Sequence, residues 1–157
     1  MKKIVLFALL LYASGADAQQ ASLGIGEYLP EPSDEFELCT KPPYTHYHFL
    51  PYEGGVRAVH DFVRSRYVPV TTDQSGYLTV RCLLNCQNQV GAFRTLSVNT
   101  DYQACTFDPQ IVNQLMALSK QLPHWKAQNY YNTDKVAEGY VTIIYKIKKG
   151  AIEYVLW

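Results

Sequence analysis

Apolar positions first fall into a regular pattern just after Gly54-Gly55. Val56, Val59, Phe62 and Val63 recur at helical spacing, with Arg57, Asp61 and Arg64 on other faces. Pro69 ends that helix or lies just beyond it. A turn-rich stretch from Thr71 to Gly76 follows. Leu78, Val80, Cys82 and Leu84 then alternate with Thr79 and Arg81, the period of a half-buried strand. Asn85 to Gly91 reads as a connecting loop and Ala92 to Val98 as a second strand.

The second helix carries both of its end signals. Asp108 is a good N-cap, Pro109 suits the first helical position, and Pro123 stops the segment. Between them Ile111, Leu115, Leu118 and Leu122 line one face. After a polar loop, Tyr140 to Ile147 alternates as a strand, Lys148-Lys149-Gly150 turns the chain, and Ala151 to Trp157 returns as the last strand. The order α-β-β-α-β-β predicts an α+β domain, with two helices on one face of a three- or four-stranded antiparallel sheet. Ile111, Leu115, Leu118, Leu122 and Trp125 should pack against Val80, Cys82, Val141, Ile143 and Ile147.

The residues before Gly54 lack this periodicity. Lys2-Lys3, the apolar run Ile4 to Tyr12 and Ala16-Asp17-Ala18 form the three parts of a secretory signal peptide over residues 1–18. The apolar run is about half the roughly 20 residues of a membrane-spanning helix. Residues 19–52, with Pro30, Pro32, Pro42, Pro43 and Pro51, read as an irregular arm, and residues 53–157 as one domain. Without the leader the chain has 139 residues, 12 basic and 13 acidic, a net charge of about −1. That balance gives no reason to expect nucleic acid or an anionic membrane as a partner. Thirteen tyrosines agree with a sheet-rich fold.

Export places Cys39, Cys82, Cys86 and Cys105 in an oxidising compartment, where four cysteines allow three connectivities. On an extended strand Cys82 and Cys86 would stand about 13 Å apart, too far to bridge. The arm needs an anchor, Cys86 lies in a loop, and Cys82 points into the core. The expected bridge is therefore Cys39–Cys86. His46-x-His48 with Cys39 upstream is the best metal candidate, but no third ligand is evident and no metal or cofactor is expected. His60-Asp61 are helix neighbours that should not face each other. Cys82 falls on the apolar side of its strand, and Gly24-Ile25-Gly26 lacks the strand and helix of a phosphate loop. No catalytic group stands out.

Glu53-Gly54-Gly55-Val56-Arg57-Ala58 leading to Phe62 and Tyr67-Val68-Pro69 resembles the first helix of TonB C-terminal-like domains. Gly76-Tyr77-Leu78-Thr79-Val80-Arg81 resembles their first strand. Leu122-Pro123-His124-Trp125-Lys126 is similar to the segment closing their second helix, and the Lys149-Gly150-x-Ile152 hairpin fits as well. The resemblance spans residues 53–157, as a stand-alone exported member without membrane anchor or long spacer, so energised transport is not implied. It does imply a sheet edge that receives an extended peptide. The last strand, with Ile152, Tyr154, Val155, Leu156 and Trp157 and only Glu153 as a charge, encodes little edge protection. The expected function is non-catalytic protein binding in the periplasm or cell envelope of a bacterium, by strand addition at those five residues. The occupant is an envelope protein or peptide, a second copy, or the chain's own arm. The alternatives are an envelope enzyme with a Cys/His site assembled only in three dimensions, and a structural or assembly factor at the outer membrane.

Overall fold

The computed structural model describes residues 36–39, 51–122, 124–126, 128–129 and 136–157. The leader, His46 and His48 lie outside these residues. Helix α1 (Gly55–Arg64) leads to strands β1 (Gly76–Leu84) and β2 (Val90–Asn99). Helix α2 (Pro109–Lys120) is followed by a small hairpin, β3 (Gln128–Asn129) with β4 (Val136–Ala137). Strands β5 (Gly139–Lys148) and β6 (Ala151–Leu156) complete the chain. Four strands form one antiparallel sheet in the order β2-β1-β5-β6. The fold is α+β, as the periodicity predicts. The β3–β4 hairpin corrects the reading of that stretch as loop alone.

Alternation decides which side of the sheet is covered. Leu78, Val80, Cys82 and Leu84 of β1, and Val141, Ile143, Tyr145 and Ile147 of β5, are buried in one cluster. Val59 and Val63 of α1 and Ile111, Leu115 and Leu118 of α2 belong to the same cluster, so both helices cover one face. Leu122 and Trp125 extend it, and all ten residues expected to form the core are in it. Asp108 caps α2, its carboxylate accepting from the Gln110 N–H at 2.8 Å. Inside, Ser119 donates to the Leu115 carbonyl, so the Tyr145 hydroxyl, 2.7 Å away, donates to Ser119.

Strand β2 starts at Val90, two residues earlier than predicted. The register slips between Arg81 and Leu83, and Ala92 takes a φ of 52° there, a bulge that periodicity alone does not reveal. Two loops of the same construction hold the ends of β2. In each an Asn carboxamide oxygen accepts main-chain N–H groups two and four residues on: Asn85 from Gln87 and Gln89, Asn99 from Asp101 and Gln103. The first loop carries Cys86, which is bonded to Cys39 across a Cα–Cα distance of 6.0 Å. This is the expected pairing. The buried Glu138 carboxylate fastens it, accepting from the N–H groups of both cysteines at 2.6 and 3.2 Å.

Candidate functional site

Strand β6 lies at one end of the sheet. It pairs with β5 on one side, and among the described residues no strand lies on the other. The opposite end is different, because Ala104 bridges Val98 and the Cys105 N–H donates to the Ser97 carbonyl, so the chain partly covers β2.

The hairpin leading into β6 is rigidly held. Lys149 and Gly150 have φ values of 48° and 72°, which a tight two-residue turn requires at both central positions. Gly150 donates to the Gln74 carbonyl, and its own carbonyl accepts from the Val70 N–H and the Tyr67 hydroxyl. A Cβ on Gly150 would meet the Val70 carbonyl oxygen at 1.8 Å, so only glycine fits. Such a turn makes Lys148 and Ala151 a mutually bonded pair. Alternation along the register then leaves the Val155 N–H directed away from β5, toward the open edge.

The five edge residues do not share one environment. Val155 is 2% exposed and points into the core, and Ile152 and Trp157 pack against the same cluster. Tyr154 and Leu156 lie on the other face of the sheet, with Lys146 4.9 Å above the Tyr154 ring. Leu156 is 45% exposed. What all five offer in common is therefore main chain, not a side-chain patch. Trp157 stands edge-on to Tyr52 and Trp125 at 6.2 and 5.9 Å, and its buried indole N–H has no acceptor among the described residues.

The edge is less bare than its sequence suggests. The register shifts opposite Lys146, so Glu153 is the extra residue of a β-bulge and its carboxylate meets Lys146 Nζ at 2.9 Å. That hydrogen bond holds the Lys146 ammonium above and the Glu153 carboxyl below their ordinary values. Bulge and charge are both devices that limit uncontrolled pairing, which corrects the expectation of an unprotected strand.

The candidates for chemistry disperse. Burial pushes the Cys82 thiol up to about 12, so it stays protonated at neutral pH. Cys105 is partly buried beside the core. His60 Nδ1 does approach Asp61 Oδ1, at 3.4 Å, which corrects the view that these neighbours do not meet. The contact is solvent-exposed, whereas Cys82 is enclosed. Cys39, Cys86 and Glu138 bring three ligand-type atoms together, but both sulfurs are committed to the disulfide. Trp125 is a core residue at 3% exposure, as predicted. Among the described residues no helix is long and apolar enough to cross a membrane.

No family model, curated protein or solved structure matches the chain.

Proposed function

We propose that the protein is an exported, non-catalytic binding domain of the TonB C-terminal-like type, which receives an extended peptide as a fifth strand beside β6. One observation carries this reading: a strand fixed along its length by β5 and at its hairpin tip has no strand on its other side among the described residues. A pre-ordered edge lowers the entropic cost of adding a strand, and main-chain bonds then supply affinity with little demand on partner sequence. The Glu153 bulge interrupts the edge, which favours a short partner segment over indefinite sheet growth. The Cys39–Cys86 bridge supports an oxidising location such as the periplasm or cell envelope. No nucleic acid, membrane anchor or cofactor enters this function. Among the described residues the enzyme reading has no observation in its favour, since Cys82 is enclosed and protonated.

Hydrogen exchange tests the proposal. Adding an envelope peptide extract to the mature protein should slow exchange at the Ile152 and Val155 amides while leaving α2 unchanged. Val155→Pro removes the outward donor and should abolish capture of the extract's peptides. Its side chain is part of the core, so retained tertiary circular dichroism must accompany the result. Unaltered exchange along β6 in the presence of peptides would exclude strand addition.

A further inference from the structure

Three ligand-type groups meet where the arm, the β1–β2 loop and the start of β5 come together. Leu84 pairs with Gly139, so Glu138, the residue before β5, sits beside the loop that carries Cys86. Cys39 reaches the same place from the arm. The two sulfurs and a carboxylate oxygen of Glu138 lie within 4.8 Å of one another. Glu138 is buried and Cys86 half-buried, whereas Cys39 is exposed, which gives a reductant or an ion a way in.

While the sulfurs are joined, neither can serve as a thiolate ligand. Their positions do not depend on that bond alone. Glu138 accepts from the N–H groups of both cysteines. The Asn85 carboxamide donates to the Glu37 carbonyl at 3.0 Å, and its oxygen accepts from the Gln87 and Gln89 N–H groups, which shapes the loop around Cys86. A Cβ on Gly91 would fall 2.3 Å from the Phe36 ring, so Phe36 seats the arm against β2. None of these contacts uses a sulfur atom. After reduction they still draw both thiols toward one carboxylate, although the arm and the loop are then held less tightly.

The chemistry of this set suits zinc. Thiolate is a soft ligand that favours zinc over calcium or magnesium, and zinc takes carboxylate oxygen as well. Tetrahedral zinc, with bonds of about 2.3 Å to sulfur and about 2.0 Å to oxygen, sets its ligand atoms about 3.5–3.8 Å apart. A shift on the order of 1 Å therefore brings the carboxylate into range. Ligation needs one of the four lone pairs on that group, which leaves its two N–H bonds and its other contacts in place as outer support. Two thiolates beside a carboxylate repel one another, and a divalent cation offsets that repulsion.

We propose that Cys39, Cys86 and Glu138 form a zinc site in the reduced protein, which the disulfide abolishes. Each chain is made with its cysteines as thiols, so this state precedes the bridge. Afterwards a dithiol reductant restores it: two electrons and two protons pass to the sulfurs, and the reductant becomes a disulfide. Zinc then displaces both thiol protons, forms two Zn–S bonds and one Zn–O bond, and leaves its fourth position to water.

Zinc titration in competition with a chelating dye tests the site. The phosphine-reduced protein should bind a single zinc ion. The oxidised protein, which has the same free Cys82 and Cys105, should bind none. Cobalt in place of zinc should give a thiolate-to-metal charge-transfer band in the reduced protein alone. Zinc should also slow hydrogen exchange at the Cys86, Gln87 and Gln89 amides of the reduced, unsubstituted protein. Glu138→Gln should weaken zinc by at least about 10-fold, the loss expected even for an outer-shell partner, with the tertiary circular dichroism of its oxidised form retained. Three outcomes overturn the proposal. Equal binding by the oxidised and reduced proteins would assign zinc to other groups, and so would binding that is unchanged in Cys86→Ser. Unchanged affinity in a folded Glu138→Gln variant would remove the carboxylate from the site.

Discussion

Cys82 shows how a single residue's chemistry is set by its place in the alternation. It lies between Val80 and Leu84 on the helix-covered side of β1, opposite Val141, and among the described residues nothing nearby compensates a thiolate. Its thiol titrates near 12 when folded and near 9 when exposed, so the unfolded chain loses that proton first as pH rises. The associated stability is complete below pH 9 and is lost between pH 9 and about 12. Burial acts in the same direction on Tyr145 and, more weakly, on Tyr52 and Tyr67. Cys82→Ala should therefore make the alkaline loss of stability shallower, read from denaturation midpoints across that window; an unchanged slope would mean that the thiol is not enclosed. Gly150 makes the opposite case, because its role lies in backbone space. Gly150→Ala meets the Val70 carbonyl and should cost at least 1–2 kcal/mol, on the order expected for a strained positive-φ site, measured by chemical denaturation. Cys82 was legible as a core residue from alternation alone. The Glu138 carboxylate under the disulfide was not, because its partners, the Cys39 and Cys86 N–H groups, are 99 and 52 residues away.

Elements whose signals are local were the most legible. Asp108, Pro109 and the Ile111–Leu115–Leu118 stripe specify α2 within one stretch of chain, and the helix forms where they place it. Leu118→Ala should cost about 2–5 kcal/mol as a core truncation, since the side chain is 7% exposed against the sheet. A change below about half a kcal/mol, the scale of surface substitutions, would mean that this face of α2 is not packed. Elements that depend on a partner's register were less legible. The early start of β2 and the Glu153 bulge in β6 both arise where two strands fall out of step. A bulge is a relation between strands, so no single strand's period contains it. The same reason hid the uneven environments of the five edge residues. Strict alternation cannot put Ile152 and Val155, three positions apart, on one side; the extra residue at Glu153 does so, with Tyr154 outward opposite Lys146.

At the scale of the molecule, the disulfide joins two parts that hydrophobic patterning treats separately. The core under the helices takes in Tyr52, the last residue of the arm, but no residue from Phe36 to Cys39. What the arm gains from the Cys39–Cys86 bond is proximity. Cysteines 47 positions apart close a loop worth about 4 kcal/mol in the chain-entropy model. Reduction should therefore lower global stability by about that amount without dissolving the fold, because the sheet, both helices and the Tyr52–Trp125–Trp157 cluster stay intact. It should have a local effect as well. Glu138, 5% exposed, would lose the fixed geometry of its two N–H donors, and Phe36 would be free to leave Gly91. Guanidinium denaturation of the reduced and oxidised proteins measures the first effect, and hydrogen exchange at the Cys86, Gln87 and Gln89 amides measures the second. Loss of all tertiary structure on reduction would show that the arm is integral to the core. A smaller stability difference with fast exchange confined to the β1–β2 loop would show that Phe36 and Glu138 hold the arm nearly as well as the disulfide does.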